Sequence, residues 1–282
     1  MQLHELYKEI RKTLAASSAE HAAREAALLL AHALKIEQSQ LHLNPEAPVS
    51  PAQVRRAREW VKRRVTGEPV QYIIGHQEFW SLDFLVEPGV LIPRPESEFL
   101  VEAALALAPH RVVEVGTGSG AIAVALAVHA PQSLVWATDI SRAALRIARV
   151  NCCRHKVADR VFFYHGHLLE PLVGLGLEGR VDVMISNPPY VRSQDLWALP
   201  CEVRDYEPSQ ALDGGADGLF FYRQLAKHHA WLRTHGKLLL EVGHNQAGPV
   251  SELLAENGWA LDRIIKDYRG VERTIVASVR RT

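Results

Sequence analysis

The sequence predicts an α/β protein: a mostly parallel, seven-stranded sheet with helices on both faces, preceded by a small helical domain and a β-hairpin linker. Three observations carry this. From residue 111 onward, short apolar runs of strand character alternate with stretches of helical periodicity. Residues 1 to about 72 show helical spacing alone. Between the two, residues 75–92 change to short β-like runs around a turn. The expected boundaries are 1–74 for the helical domain, 75–92 for the linker and 93–282 for the α/β domain.

Taken in order, Leu3, Leu6, Tyr7, Ile10 and Leu14 recur at the spacing of one helix face. The run A-A-R-E-A-A-L-L-L-A-H-A-L from Ala22 consists of strong helix formers. Ser50-Pro51-Ala52-Gln53 reads as a helix start, with Ser at the N-cap, Pro at N1 and Gln closing a capping box. The helix behind it carries R-R-A-R-E-W-V-K-R-R, Arg55 to Arg64, read first as a solvated face and only second as a patch for RNA or an acidic partner. E-F-W-S-L-D-F-L-V-E-P-G-V-L-I reads as a hairpin around Pro88-Gly89, and Pro93 to Glu98 opens a helix to about Ala108. Strands then fall at 112–115, 134–139, 161–165, 181–186 and 237–242, with two more around Ile264 and Thr274 to Val279. Helices between them include A-I-A-V-A-L-A-V, the segment after Ser141, Leu219 to Leu232 and Val250 to Asn257.

Composition narrows the function classes. With 48% hydrophobic and 23% charged residues in 282, the chain can build a sizeable core. Lys+Arg and Asp+Glu both number 32, so the formal net charge is zero, which argues against a protein living on duplex nucleic acid. No stable nucleic-acid partner is expected. The amino-terminal segment is amphipathic and mixed in charge, unlike a secretory signal, and no run approaches the ~18 apolar residues of a membrane span. The three cysteines, Cys152, Cys153 and Cys201, form neither a metal-ligand spacing nor a disulfide framework, so a reduced cytoplasmic setting without a bound metal is expected.

The chemistry concentrates at two turns. Strand 112–115 runs into G-T-G-S-G, Gly116 to Gly120, and then a helix; glycines let the backbone approach a ligand that helix-terminal N–H groups face. The next strand ends at Asp139, where a carboxylate can accept both hydroxyls of a ribose. These features suit NAD and S-adenosylmethionine equally. Asp139 could instead cap the following helix, though Ser141 can fill that place. V-M-I-S-N-P-P-Y, Val183 to Tyr190, ends a later strand on the same carboxyl edge, where open α/β sheets bind ligands. Pro188 and Pro189 fix the backbone and offer no N–H.

With G-T-G-S-G, Asp139 and N-P-P-Y in that order, the chain resembles the class I, Rossmann-like S-adenosylmethionine-dependent methyltransferases that modify planar amide or amino nitrogens. Such nitrogens are poor nucleophiles because their lone pairs are delocalised. They need hydrogen-bond acceptors on their N–H groups as positive charge develops. The Asn187 side-chain oxygen and the Pro188 carbonyl can supply two, and Tyr190 can stack on the planar group.

Two substrates fit, adenine in DNA or RNA and glutamine in protein. I-P-R-P-E-S-E at 92–98, E-F-W-S-L, the helical domain, V-R-D-Y-E-P-S-Q-A-L at 203–212 and R-D-Y-R-G-V-E-R-T near the end together resemble one family. It is the HemK/PrmC-type protein-(glutamine-N5) methyltransferases, which modify the Gln of the GGQ tripeptide in class I peptide-chain release factors. The resemblance runs from about residue 20 to 274 and favours glutamine; an adenine-N6 methyltransferase is the alternative. A cofactor-binding adaptor without activity would be favoured if Asn187 were replaced, which it is not, and a dehydrogenase lacks an acid for hydride transfer near N-P-P-Y.

The resemblance implies roles by position. Gly116, Thr117, Gly118, Ser119 and Gly120 would cradle the methionine end of S-adenosylmethionine and Asp139 its ribose, while Glu114 would contact its amino group or else serve a helix dipole or backbone N–H. Asn187, Pro188, Pro189 and Tyr190 would hold the substrate glutamine, with Asn187, Pro188 and Tyr190 at the reacting nitrogen and Asn187 also beside the cofactor. Pro93-Arg94-Pro95 would close over the cofactor, unless Arg94 pairs with an acid. Where the family shows Gly-Asp-Leu to receive the adenine amino group, this chain has Gly166-His167-Leu168, so His167 or a backbone group would accept that bond and Leu168 would pack on the ring.

Overall fold

The computed structural model describes residues 1–17 and 21–280. Packing divides the chain into two units, residues 1–76 with 200–206, and residues 77–199 with 207–282.

The first unit is helical: α1 (Leu3–Ala16), α2 (Ala22–Leu34), α3 (Gln40–Leu43), α4 (Pro51–Val65) and α5 (Val70–Ile74). Helix α1 buries Leu3, Leu6, Ile10 and Leu14, the stripe its spacing calls for, against Leu29, Leu30, Val54 and Val61. Ser50 caps α4 as expected: its hydroxyl accepts from Gln53 N at 3.3 Å, and the Gln53 side chain receives the Ser50 N–H at 3.0 Å. Such a cap contributes about 1 kcal/mol. The basic run on α4 is largely spent within the unit. Arg58 pairs with Glu9, Arg63 with Glu68 and Arg64 with Glu25 and Glu202, while Arg56 donates to the Ala33 carbonyl.

Strand β1 (His76–Phe79), which starts at the last residue of the 1–76 segment, pairs with β2 (Leu82–Leu85) as a hairpin. Its turn lies at Trp80 and Ser81, not at Pro88-Gly89 as the sequence suggested. Both turn residues have positive φ, 52° and 58°, the geometry that matches strand twist but normally selects Asn and Gly. Two carboxylates hold it: Glu98 Oε1 receives Trp80 N–H at 2.8 Å, and Glu78 Oε1 receives Ser81 N–H at 2.7 Å. Pro88-Gly89 forms a separate turn in which Val90 N–H reaches the Glu87 carbonyl.

After α6 (Glu98–Leu105), strands and helices alternate: β3 (Arg111–Val115), α7 (Ala121–His129), β4 (Leu134–Asp139), α8 (Arg142–Arg154), β5 (Val161–His165) and β6 (Val181–Ser186). Short helical turns and α9 (Cys201–Arg204) lead to α10 (Phe220–Leu225), β7 (Leu232–Glu241), α11 (Ala247–Glu256), β8 (Trp259–Lys266) and β9 (Glu272–Val279). The helix expected over Leu219 to Leu232 is broken, continuing after α10 as a 3₁₀ turn with non-helical backbone at His228. The seven strands order as β5-β4-β3-β6-β7-β9-β8, all parallel except β9, which runs against β7 and β8. Each face carries its own apolar core. Phe84, Leu100, Leu126, Val135 and Ile185 lie on one, and Tyr222, Leu225, Leu238, Leu240 and Trp259 on the other. From β3 the chain winds outward through β4 to β5, then returns to place β6 on the other side of β3. That reversal opens a crevice at the carboxyl ends of β3 and β6.

Candidate active site

Register brings the two turns together. Val115 of β3 pairs with Ser186 of β6, so Gly116 and Asn187 leave the sheet side by side. Gly116 and Gly118 have φ of 76° and 56°, and a Cβ at either position would meet nothing within 4 Å. Their backbones therefore border open space in a conformation that side chains resist. Gly120 does different work. It borders neither of the two cavities at this edge, and a Cβ there would stand 3.0 Å from the Ala148 Cβ, so its bareness lets α7 pack close to α8.

A cavity of about 320 Å³ lies over this edge, bordered by Gly116, Gly118, Asp139, Leu168, Asn187 and Pro188 among others. That volume is at the lower end of the range for small-molecule sites. A smaller cleft beside it, about 50 Å³, is bordered by Arg94, Ser97, Glu114, Thr117, Ser119 and Asn187. The glycine loop and Asn187 border both.

Asp139 ends β4 at the cavity wall. Its Oδ2 accepts from Gly118 N and its Oδ1 from Ser141 N, both at 2.8 Å. Burial pushes its carboxyl above the usual range even so. Each oxygen keeps a further lone pair, so both can still accept from a diol. Ser141 caps α8, accepting from Ala144 N at 3.2 Å, which relieves Asp139 of that duty. Glu114, penultimate in β3, is 1% exposed and receives the Thr117 hydroxyl at 2.7 Å. Burial first, then the nearby Asp139 charge, pushes it up to about 8.

At the N-P-P-Y turn, Asn187 Nδ2 donates to Ser97 Oγ at 3.0 Å. Among the described residues, no donor is bonded to Asn187 Oδ1 or to the Pro188 carbonyl. Two acceptors thus stand on a rigid turn beside the cavity. Tyr190 borders neither cavity. Its ring packs on the core beneath, its carbonyl receives Gln246 Nε2 at 3.0 Å, and burial raises its phenol above the ordinary range. A bulkier residue at Gly214 would stand 2.7 Å from the Tyr190 Cα, so the turn is clamped from behind. His167 and Leu168 border the large cavity; His167 Nδ1 lies 3.6 Å from Glu170 Oε1, and Leu168 holds a left-handed φ of 47°. For a branched side chain such backbone is strained, and strain of this kind concentrates at ligand sites.

Arg94 pairs with Glu207 at 2.5 Å, and Glu207 Oε2 also receives Ile92 N–H at 3.2 Å. The R-P-E-S-E and D-Y-E-P-S-Q segments are therefore joined by a carboxylate only 1% exposed. Four residues of this arrangement were not singled out from the sequence: Ser97, Glu207, Glu241 and Gln246. The signal for Glu241 was present, a carboxylate directly after the apolar run Leu238–Leu240 on the edge that carries Glu114 and Asn187.

A sheet that reverses at β3 and β6, with a glycine loop after one and N-P-P-Y after the other, defines a class I S-adenosylmethionine-dependent methyltransferase. Known proteins carry the assignment further. Residues 5–75 match the PrmC N-terminal domain and residues 94–199 the methyltransferase small domain. The chain is 41% identical to a release factor glutamine methyltransferase of Geobacter sulfurreducens, over 94% of this chain and 92% of that one. It is also 41% identical to one of Moorella thermoacetica, over 98% of both. The chain belongs to the release factor glutamine methyltransferase family. Among solved structures, its fold is similar to a methyltransferase from Pyrococcus furiosus, with TM-score 0.54 and 20% identity over 81% of this chain and 98% of that one. It is likewise similar to the hMettl16 catalytic domain, with TM-score 0.55 and 17% identity over 80% and 81%.

Proposed function

We propose that this protein transfers a methyl group from S-adenosylmethionine to the N5 amide nitrogen of the glutamine in the GGQ motif of class I peptide-chain release factors, in the cytoplasm. The observation that carries the reading is the pair of uncommitted acceptors, Asn187 Oδ1 and Pro188 O, standing beside the glycine loop. Near-full-length likeness to relatives bearing that name supports glutamine over adenine. Among the described residues no helix is long and apolar enough to cross a membrane.

The residues present suit the cofactor. Bare, positive-φ backbone at Gly116 and Gly118 leaves room where a Cβ would intrude. Asp139 would receive the ribose hydroxyls, Glu114 and Thr117 would face the amino-acid end, and Leu168 would cover the base, with His167 in reach of its edge. When bound, S-adenosylmethionine supplies an electrophilic sulfonium methyl. Asn187 and Pro188 would accept the two N–H groups of the glutamine amide, orient its nitrogen and stabilise the positive charge that develops there. Tyr190 would support this turn from beneath. The helical unit, with residues 200–206, would dock the body of the release factor.

Labelled S-adenosylmethionine offered with a release factor, with the same factor carrying GGA for GGQ, and with duplex DNA tests the reading. Label confined to the intact factor is the expected result. Label on DNA, or on both factors equally, overturns it.

A further inference from the structure

The Asn187 amide sits at the end of a buried polar chain. Ser97 Oγ donates to Glu241 Oε2 at 2.6 Å and accepts from Asn187 Nδ2 at 3.0 Å. Ser97 is 4% exposed and Glu241 1%, so water does not compete. A hydroxyl has one proton. Once that proton is given to a carboxylate, only lone pairs remain for the next neighbour, which must then present an N–H. The NH₂ side of Asn187 is thereby drawn to Ser97 and its oxygen is turned the other way.

We propose that Glu241, acting through Ser97, is a positioning residue that fixes the Asn187 amide with Oδ1 toward the methyl-accepting nitrogen. The inference rests on the role given to Asn187 above and adds what enforces its direction. An amide is nearly symmetric in shape, so packing alone distinguishes its two ends poorly, and a reversed Asn187 would point N–H groups at the substrate's own N–H groups. The carboxylate breaks that symmetry because it can only accept.

Protonation removes the constraint. A neutral Glu241 can donate to Ser97, whose proton is then available to the Asn187 oxygen, and either amide orientation satisfies the chain. The groups facing Glu241 are Glu96 and Arg94 from the segment before α6, Arg273 from β9, Tyr190 from the turn and Tyr222 from α10. Both cations already serve other carboxylates, Arg94 with Glu207 and Arg273 with Asp267. Glu241 thus lacks a dedicated counter-ion, and burial pushes it up to about 7. With the folded value raised, the orienting carboxylate is present above that pH and lost below it.

The test uses the full chain, S-adenosylmethionine and a release factor between about pH 6 and 8.5, alongside the ¹⁵N-labelled free protein. Relative to wild type, Glu241→Gln is expected to lower kcat about tenfold. It should leave KM for the cofactor within about twofold and abolish the rise of kcat through about pH 7. Ser97→Ala behaves likewise, and Ser97→Thr, which keeps the hydroxyl, recovers most of what Ser97→Ala loses. In the free protein the Asn187 carboxamide resonances shift with a midpoint near 7 in wild type and stay fixed in Glu241→Gln. A Glu241→Gln enzyme with unchanged kcat and pH profile, or a wild-type Asn187 amide that does not titrate, overturns the proposal. If wild type leaves the release factor unlabelled, the substrate reading fails, while the amide titration still decides whether Glu241 orients Asn187.

Discussion

On α4, Arg58, Arg63 and Arg64 each grip a carboxylate, whereas at the carboxyl edge of the sheet Glu114 and Glu241 are bonded to the hydroxyls of Thr117 and Ser97. The first arrangement settles its charges locally and leaves a face that needs nothing else. The second keeps carboxyl groups 1% exposed without a cation of their own, at a cost in solvation that folding alone does not require. Burial raises both, to about 8 and about 7. Of the two, Glu114 borders the smaller cleft, while Glu241 lies behind Ser97, which borders it. The contrast separates a conspicuous basic run paired within its own unit from two single glutamates buried near strand ends.

Several substitutions would break or sharpen this contrast. The largest effect is expected at Asn187, which belongs to the second arrangement: Asn187→Ala should lower kcat by roughly a thousandfold. Cofactor affinity, measured calorimetrically, should change little, and its collapse would show that the turn serves the cofactor instead. Next is Glu114. Its value is raised, so it is mainly protonated at pH 7, and facing a cofactor ammonium would drive its proton off. Cofactor binding at pH 7 should therefore release a proton, seen as a buffer-dependent binding enthalpy, and affinity should rise toward about pH 8. Glu114→Gln should weaken binding about tenfold and erase that dependence.

The first arrangement should respond in stability alone. Arg64 lies 12% exposed between Glu25 and Glu202, and Arg64→Ala should lower unfolding stability by about 2 kcal/mol in a denaturant titration. Arg58, with 52% of its side chain exposed, is the smallest case: Arg58→Ala should leave the melting temperature unchanged within error. Neither substitution should move cofactor affinity. A change there from Arg58→Ala would mean that the α4 face is not merely a settled surface.

How legible the molecule was differs between its parts. Helices α1, α2 and α4 followed from periodicity and a capping box because their determinants lie within a few residues of one another. The hairpin was legible as a hairpin, but its turn was not. Trp80 and Ser81 hold positive φ with their N–H groups accepted by Glu98 and Glu78, one of these carboxylates being 18 residues away. Asp139 and Asn187 stand at strand ends where the sequence put them, and both border the cavity. Ser97 lay inside a quoted motif, yet its purpose depends on Glu241, 144 positions further on.

The sequence by itself determined the alternation of strands and helices, the stiff N-P-P-Y backbone and the glycine loop, since each rests on local stereochemistry. Tertiary structure alone decided that Val115 and Ser186 stand in register, so that loop and turn become one site. It also decided that Tyr190 turns inward to brace the turn and that Arg94 is held by Glu207. Finally, it decided that the Asn187 amide is pulled to one orientation by a carboxylate two side chains away. Such matters turn on burial and on which groups meet across the fold, and no local pattern specifies either.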